Sequence, residues 1–440
     1  MPDAASAIDW PAVHAEALDV LVRYLRIDTS NPPGREARAA RFLGGLLEAE
    51  GIACEYVATA PEREFVVARL RGDGSKRALL LGNHTDVVPV EAAYWDVPPF
   101  GGVVRDGRIY GRGAIDMKGT GVMQLFALLL AHRRRLPLTR DLVFLAVPDE
   151  EVGSDDGMAW VVANRPDLLD VDFALNEGAS GMADFGGESA RLFAVALTEK
   201  EMCPLRLTTV GTPGHASRPH ADNSAVRLAE TLAKLARWDR PLTLAGGARD
   251  YLERLRAGGL LASLDDRATI ERLLRASPDT QAAFQDTLNV TMVNVGIKSN
   301  VIPAKSEAIV DCRLVPGQTP EAWRAEVERY IDDPRVDVSF LWNRPSTRPA
   351  VSTWDTELAV AIETVVREAF EDAIVVPGLS TVGTDNRFLR PLGIPSYGFI
   401  PCLLSQAERD GFHANNEFLT VDNLNMGVEL MYEIVRRVCT

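Results

Sequence analysis

The segment RALLLGNHTDVV at residues 77–88 is a continuous apolar run whose polar end carries His84 and Asp86. Such a run is typical of a β-strand buried on both faces, as strands are in a parallel sheet covered by helices. The pattern recurs in DLVFLAVPDEE at 141–151 and in VDFALNEG at 171–178. All three segments end in side chains that can bind metals, so the same signal predicts both a sheet and a candidate site.

Helical patterns separate these strands and give an alternating order. An amphipathic helix is predicted at 10–27, and further helices are predicted at 36–51, 119–134, 355–370 and 422–437. Further apolar strands are predicted at 64–70, near 373–376 and near 396–400. Strands that alternate with helices predict the α/β class with a mostly parallel central sheet.

The middle of the chain has a different pattern. Strands are predicted at 204–211, 289–296, 306–315 and 336–342, and helices at 222–238 and 319–331. The order β-α-β-β-α-β is the ferredoxin-like split-βαβ arrangement, to which residues 240–288 add a helical insertion. The sequence therefore predicts one α/β domain in two segments, 1–199 and 346–440, interrupted by an inserted domain at 200–345.

Composition narrows the class of function. Of the 440 residues, 46% are hydrophobic and 25% are charged, as in soluble globular proteins. The net charge of −15 repels nucleic-acid phosphates and anionic membranes, so neither is an expected partner. Five widely separated cysteines argue against a disulfide framework and against a thiolate zinc site. Residues 1–21 lack the features of a signal peptide, so a cytoplasmic location is expected.

Candidate metal ligands come from several separate elements. In open α/β sheets, ligands bind beyond the carboxyl ends of the strands, where His84, Glu151 and Glu177 are expected. The loop YGRGAIDMKG adds Asp116, and GFHANNEF adds His413. Imidazole and carboxylate ligands without cysteine favour zinc. Since a carboxylate can bridge two cations, His84 and Glu177 can serve one ion, Glu151 and His413 the other, and Asp116 both.

Neighbouring acidic residues have predicted supporting roles. Asp86 lies two residues beyond His84 on the same face, so it can accept a hydrogen bond from the second imidazole nitrogen. Glu150 and Glu151 are adjacent and should face different ways, so that one binds metal while the other accepts a proton from water. Alone, each feature is weak, because acidic residues after a strand are more often a solvated helix start. The prediction therefore depends on several such residues occurring together, on elements that are expected to converge.

Eight motifs, in order, resemble the dinuclear zinc family of aminoacylase, carboxypeptidase G and succinyl-diaminopimelate desuccinylase. They are HTDVVP (84–89), GRGAIDMKG (111–119), DEEVGS (149–154), NEG (176–178), PGHAS (213–217), SNVIP (299–303), GTDNRF (383–388) and GFHANNE (411–417). The resemblance runs from about residue 18 to residue 437. It implies a zinc-binding α/β catalytic domain with an inserted ferredoxin-like lid, here residues 200–345, that usually dimerises.

The resemblance also implies roles within the catalytic domain. It assigns metal binding to five residues: His84, Asp116, Glu151, Glu177 and His413. Asp116 would bridge the two ions, Glu150 would be the general base, and Asp86 would support His84. The peptide bond between Asp116 and Met117 is expected to be cis.

In the lid, the resemblance assigns His215 to stabilising the tetrahedral oxyanion across a dimer interface, and Asn300 and Arg313 to the substrate carboxylate. Thr384 resembles a third substrate-binding position. The alternatives are simpler: Arg313 can form a surface ion pair with Asp311, Asn300 can belong to a turn, and His215 can be an ordinary loop residue.

The expected function is a zinc-dependent hydrolase that cleaves the amide bond of an N-acyl amino acid or small peptide. Two Zn²⁺ ions per chain are expected, with cobalt or manganese as possible substitutes. The alternatives are a dipeptidase or glutamate-type carboxypeptidase and, in another class, a non-catalytic protein that binds amino acids or peptides. A homodimer through the lid is expected, although the insertion at 240–288 can block the usual dimer face or shape specificity.

Overall fold

The computed structural model describes residues 7–187, 189–244, 247–341 and 349–440. These residues form two compact units. The first contains those up to Thr198 together with Ala350–Ser380 and Thr384–Thr440. The second contains the described part of Glu199–Pro349 and the short segment Thr381–Gly383. The predicted boundary between residues 345 and 346 lies outside the described residues.

The helices and strands follow in chain order. Up to residue 199 they are α1 (Trp10–Leu25), α2 (Ala37–Ala49), β1 (Cys54–Ala60), β2 (Arg63–Leu70), β3 (Ala78–His84), β4 (Val103–Arg105), β5 (Arg108–Tyr110), α3 (Lys118–Arg133), β6 (Leu142–Val147), α4 (Met158–Asn164), β7 (Val171–Met182) and β8 (Leu192–Glu199). The second unit adds β9 (Glu201–Met202), β10 (Leu205–Val210), β11 (Gly214–His215), α5 (Ser224–Ala236), α6 (Ala248–Ala257), α7 (Arg267–Leu274), α8 (Pro278–Ala283), β12 (Thr287–Val295), β13 (Val301–Ile302), β14 (Lys305–Leu314), α9 (Pro320–Ile331) and β15 (Val336–Phe340). The remaining elements are α10 (Glu357–Ala369), β16 (Ile374–Ser380), α11 (Asn386–Leu389), β17 (Ser396–Leu404), α12 (Gln406–Arg409), β18 (Phe418–Thr420) and α13 (Val421–Cys439).

A sheet with the strand order β1-β2-β6-β3-β7-β17-β8-β16 forms the centre of the first unit. Its middle strands β6, β3, β7 and β17 run parallel to one another. On one side, β1 and β2 continue the sheet in antiparallel pairing, and on the other β8 pairs antiparallel with β17. The predicted α/β class with a mostly parallel central sheet is confirmed.

The central strands are buried because helices cover both faces of the sheet. Every residue of β3 and of β6 is buried, as their continuous apolar sequences require. One face packs against a large apolar core that includes α1, α3 and α13. The other face packs against a smaller core with residues of α4 and α11. Polar side chains able to bind metal are therefore found at the ends of these strands.

The second unit contains an antiparallel sheet with the order β12-β14-β10-β15. Helices α5 and α9 complete the predicted β-α-β-β-α-β order, and Trp323 and Leu207 are among the buried core residues. Alternate residues of β14 are buried, as in a strand with one face on a core. The insertion at 240–288 contains α6, α7 and α8, so its predicted helical character is confirmed.

Several elements differ from the sequence prediction. The strand predicted at 171–178 continues to Met182, because β17 and β8 pair with its second half. The strands β1 and β8 had not been predicted, and the strand predicted at 336–342 ends at Phe340, while residue 342 lies outside the described ranges. Within those ranges, no helix combines the length and the apolar character that crossing a bilayer requires.

Candidate metal centre

Two parallel strands end side by side at the candidate site. His84 is the last residue of β3 and pairs with Val147, the last residue of β6. The backbone N–H of Thr85 donates to the carbonyl of Val147 over 2.8 Å. A 3-10 turn at Glu150–Val152 follows β6, so the strand register brings the predicted base and ligand beside His84.

Glu177 reaches the site from a β-bulge rather than from a strand end. In the pairing of β7 with β17, Gly398 lies opposite Asn176 while the next residue, Phe399, lies opposite Ala179. Glu177 and Gly178 are therefore inserted residues of β7 that have no paired residue on β17. Bulges of this kind often redirect a side chain beside an active site, and here the Glu177 carboxylate lies 3.4 Å from the His84 ring.

Asp116 lies just before α3, and its peptide bond to Met117 is cis, as the family resemblance implies. His413 comes from the loop before β18. One buried carboxylate, that of Glu417, links these two loops. It accepts hydrogen bonds from the backbone N–H of Ile115 (2.8 Å) and from Arg112 Nη1 (2.8 Å). Nη2 of the same arginine donates to the His413 carbonyl (3.1 Å).

The five predicted ligands form two groups that share Asp116. In the first group, His84 Nε2 lies 3.1 Å from Asp116 Oδ1 and 3.4 Å from Glu177 Oε1. In the second, His413 Nε2 lies 3.0 Å from Asp116 Oδ2 and 3.3 Å from Glu151 Oε2. Within each group, all ligand atoms lie within 4.8 Å of one another. Each oxygen of Asp116 thus faces a different group.

These distances fit divalent cations. Around tetrahedral zinc with bonds of about 2.1 Å, neighbouring ligand atoms are about 3.4 Å apart, close to the observed separations. The local charge agrees, because Asp116, Glu177 and Glu151 lie together with Glu150 at a largely buried place. Buried carboxylates at this density require nearby positive charge. The residues present therefore fit a pair of metal ions.

The pKa values of the acids reflect this crowding. Burial, together with the nearby charge of Asp116, raises the pKa of Glu177 to about 8. Burial also raises the pKa of Glu150 well above its usual range, since the nearby charge of His84 opposes the effect only in part. Without cations, these carboxyl groups are therefore held toward their protonated forms.

The pKa values of the histidines are shifted upward by the same carboxylates. Hydrogen bonds to Asp116 and Glu151 raise the pKa of His413 to about 10. Burial lowers the pKa of His84, but the charge of Glu177 and a hydrogen bond to Asp116 outweigh it and raise the value well above the usual range. Without metal, protons on the imidazoles supply the positive charge that cations would supply.

Asp86 differs in part from its predicted contact. His84 Nδ1 donates to the backbone carbonyl of Asp86 over 3.0 Å, while the carboxylate lies 3.4 Å away. That carboxylate instead accepts hydrogen bonds from the backbone N–H groups of Glu150 and Glu151, at 3.1 Å each. Asp86 therefore holds the turn that carries the two glutamates as well as supporting the histidine.

The adjacent glutamates face different groups, as their positions predict. Glu151 faces His413, while Glu150 Oε1 lies 3.9 Å from Arg387 Nη1. Glu150 is buried and lies outside both ligand groups. A carboxylate so placed can receive a proton while its neighbour holds metal.

The remaining predicted residues have few described contacts. His215 is exposed, and its Nδ1 accepts a hydrogen bond from the Ser217 backbone N–H over 3.2 Å, which leaves the proton on Nε2. His215 pairs with Val301 across β11 and β13, which brings exposed Asn300 close to it. Arg313 Nε donates to Asp311 over 2.9 Å, the ion pair that the sequence allowed.

Thr384 belongs to the first unit and is buried. Its Oγ1 accepts a hydrogen bond from the Asn386 backbone N–H over 3.2 Å. The Asn386 side chain in turn donates to the Glu177 carbonyl over 3.3 Å. Thr384 is therefore connected through one residue to the bulge that carries a predicted ligand.

Sequence reasoning missed several residues that support the site. Glu417 and Arg112 lie within quoted motifs, but the sequence assigns neither of them a role. Arg63 and Asn31 belong to none of the quoted motifs. Each acts through a partner far away in sequence, such as Arg112 with Glu417, so only the fold could have revealed them.

The chain is similar to known peptidases and to enzymes that act on acyl amino acids. Residues 80–437 match the family model described as peptidase family M20/M25/M40. Aminoacylase-1 of Mus musculus is 30% identical over 417 residues, which cover 93% of this chain and 91% of that protein. The N-fatty-acyl-amino acid synthase/hydrolase PM20D1 of Mus musculus is 29% identical over 382 residues, which cover 84% of this chain and 75% of that protein.

Solved structures show a similar fold. Human carnosine dipeptidase 1 aligns with a TM-score of 0.70 and 16% identity, covering 98% of both chains. The M20 family metallo-carboxypeptidase Sso-CP2 from Sulfolobus solfataricus aligns with a TM-score of 0.69 and 20% identity, covering 96% of this chain and 99% of that one. Both alignments extend over nearly the whole length of each chain.

Proposed function

Since this chain belongs to peptidase family M20/M25/M40 and is a metal-dependent hydrolase of amide bonds in small molecules, we propose that it cleaves N-acyl amino acids with two zinc ions. The observation that carries the proposal is the pair of ligand groups sharing Asp116. We assign one ion to His84 and Glu177 and the other to Glu151 and His413. Cobalt or manganese can replace zinc, because the same nitrogen and oxygen ligands accept them.

When bound, the two cations would lower the pKa of the attacking water and polarise the scissile carbonyl. Glu150 accepts the proton of that water and later donates it to the leaving amine. Burial supports this role, since it raises the pKa of Glu150 toward the range in which a carboxylate both accepts and returns a proton. Asp86 keeps the base in place through its hydrogen bond from the Glu150 backbone N–H.

We assign substrate contacts to four further residues. His215 carries its proton on Nε2, so it can donate a hydrogen bond to the developing oxyanion. Arg313 can bind the carboxylate of the amino-acid product through both arms of its guanidinium, exchanging its present partner Asp311 for it. Asn300 supports the same carboxylate, and Thr384 contacts the substrate from the first unit.

The acyl-amino-acid substrate is favoured by the sequence likeness to aminoacylase-1 over nearly the full length of both chains. The dipeptidase and carboxypeptidase alternatives differ from it only in the group on the acyl side of the cleaved bond. All three substrate types present a free carboxylate to Arg313. A panel of substrates therefore separates them better than any single contact.

The experiment measures amine release from N-acyl amino acids of varied acyl length, from dipeptides and from folate-like amides, with zinc and with a chelator. We expect chelator-sensitive release from the acyl amino acids, with activity restored by zinc. Release mainly from dipeptides or from glutamyl amides would instead select the corresponding alternative. Tight amino-acid binding without any release would contradict the hydrolase proposal and favour a binding protein.

We also propose that two copies associate through β12. This strand is an edge of its sheet, and it exposes Val290, Met292, Val293 and Val295. An exposed apolar edge strand is a surface that pairs readily with another strand. Light scattering should give twice the chain mass for the wild type and one chain mass for Val293→Asp, with Val360→Asp as control for an exposed valine elsewhere. A monomeric wild type would contradict the proposal.

A further inference from the structure

Arg63, the first residue of β2, holds several parts of the first unit together. Its side chain is largely buried, with 13% exposed. Nη1 donates to Asp149 Oδ1, Nη2 donates to Asn31 Oδ1 over 2.9 Å, and Nε lies 3.6 Å from Asp156 Oδ2. The arginine belongs to neither ligand group, but its partners contact the residues that hold the predicted ligands.

Asn31 is the next link. It is buried, and its Nδ2 donates both to Asp149 Oδ1 over 3.0 Å and to Asp86 Oδ2 over 2.9 Å. Its own backbone N–H donates to the Val87 carbonyl over 2.9 Å, which fixes the amide beside β3. One side chain thus connects the acid that supports His84 with the acid that precedes the two glutamates.

Both acids then hold the turn at Glu150–Val152. Asp86 accepts hydrogen bonds from the backbone N–H groups of Glu150 and Glu151. Asp149 has a positive φ of 73°, a conformation that residues other than glycine rarely adopt without support. Its Oδ2 accepts the Asp156 backbone N–H over 2.9 Å. The turn is therefore held by side chains on both sides. Arg63 contacts one of them, Asp149, directly and is connected to the other, Asp86, through Asn31.

The charge around Arg63 explains why an arginine is needed. Buried Asp149 and fully buried Glu36, whose Oε1 lies 3.9 Å from Nη1, are both next to it. A guanidinium can serve several acceptors in one plane, whereas a lysine ammonium offers a single point of charge. The substitution Arg63→Lys would keep the charge balance, but the shorter point charge could not reach Asp149 and Asn31 with the same geometry.

We propose that Arg63 is a positioning residue for hydrolysis. Through Asn31 and Asp149 it fixes the turn that carries the base Glu150 and the metal ligand Glu151. The predicted effect on kcat and KM rests on the proposed function, whereas the predicted effect on metal affinity does not. Because Arg63 contacts neither metal ligands nor a substrate position directly, loosening it should weaken metal binding and lower kcat while leaving KM nearly unchanged.

The test compares Arg63→Lys and Arg63→Ala with Arg69→Lys and Arg69→Ala. Arg69 lies on the same strand and pairs with Asp141 over 3.1 Å, away from the turn. Zinc affinity is measured by competition with a chromogenic chelator, and kcat and KM are measured on the substrate that the wild type cleaves best. We expect both Arg63 variants to bind zinc about 10–100-fold more weakly and to lose a similar factor in kcat, with the Arg69 variants near wild type.

A chemical rescue distinguishes positioning from general damage to the fold. Guanidinium added below denaturing concentrations should restore part of the zinc affinity and kcat of Arg63→Ala, and should not change Arg63→Lys or Arg69→Ala. If Arg63→Ala does not fold, the charge-conserving Arg63→Lys carries the test alone. Zinc affinity and kcat of Arg63→Lys equal to those of Arg69→Lys would overturn the proposal, as would a rise in KM alone. If the wild type cleaves none of the substrates, the proposed function is wrong, but the zinc affinities still test the role of Arg63. Weaker zinc binding by the Arg63 variants would then still support positioning.

Discussion

The site residues of the first unit and those of the second are held in very different ways. His84 and Glu177 are buried, and His84 contacts Asp86, Asp116 and Glu177. The side chain of His413 is half exposed, but it too contacts two carboxylates. His215 and Asn300 are exposed, and the ring of His215 is held by Ser217 alone among the described hydrogen bonds. Groups that concentrate charge need a rigid buried frame before any substrate arrives. Groups that act on the substrate can be held loosely until it binds.

The largest effect that separates the two regions is expected for Glu150→Gln. The amide keeps the shape of the side chain but cannot accept the proton, so kcat should fall by roughly 10²–10⁴-fold. Since Glu150 lies outside both ligand groups, metal content should stay at the wild-type value. Steady-state kinetics and elemental analysis measure the two quantities.

Glu91→Gln is the matched control, because Glu91 is exposed and has no assigned role. It should retain wild-type kcat. Wild-type turnover in Glu150→Gln would show that another group takes the proton. Loss of metal from Glu150→Gln would instead show that this residue belongs to the rigid ligand frame.

A somewhat smaller effect is expected in the second unit, for His215→Ala. Removing one donor to an oxyanion typically lowers kcat by roughly 10²–10³-fold. His215 belongs to neither ligand group, so zinc affinity should not change. Its exposed neighbour His220 provides the control, and His220→Ala should leave kcat within about threefold of wild type. Equal losses of kcat in His215→Ala and His220→Ala would contradict a specific oxyanion contact of His215, and a loss of zinc affinity in His215→Ala would remove the distinction between the two regions.

The smallest effect concerns pH and the predicted metal ligands of the first unit. The pKa of Glu177 is raised to about 8 and that of His413 to about 10 in the protein without metal. A raised pKa stabilises the fold at low pH, and this contribution is lost as pH rises through those values. Metal ions require the deprotonated ligands, so their binding strengthens as pH rises.

The melting temperature gained on adding zinc should therefore grow between about pH 6 and about pH 9, by roughly 3 °C or more. Calorimetry of metal-free and zinc-loaded protein measures it. His220→Ala again serves as a control and should show the same increase. A gain that shrinks as pH rises would mean that these groups do not release protons to bind metal.

The sequence predicted the sheet and the convergence of ligands because both follow from local patterns. β6 is apolar throughout and β3 is apolar up to Gly82, and polar residues follow each of these runs. Parallel strands must end at the same edge, so His84 and Glu151 could be placed together without knowing any other contact.

The sequence could not predict features that depend on distant partners. Glu177 was predicted at a strand end, but it lies in a bulge created by the pairing with β17, more than two hundred residues further along. The Asp86 carboxylate was predicted to face His84 mainly, yet it accepts two backbone hydrogen bonds from another loop. The roles of Arg63 and Glu417 depend on burial, which a charged residue does not reveal in sequence.

The second unit shows a different gap between sequence and structure. The alternating pattern of β14 predicted its buried face correctly. The segment of β12 was also predicted as a strand, but nearly all of it is exposed. Its apolar residues therefore do not belong to the core of this chain, and only the structure separates a core strand from an exposed edge strand.

The measurement that tests the central claim most directly is a calorimetric titration of metal-free protein with zinc, for the wild type and for Asp116→Asn. The wild type should bind two zinc ions per chain, because Asp116 offers one oxygen to each ligand group. Asp116→Asn should bind more weakly at both sites, whereas the exposed control Asp250→Asn should bind two ions as the wild type does. A wild-type chain that binds one zinc ion or none while cleaving amides at its full rate would contradict the shared two-metal centre.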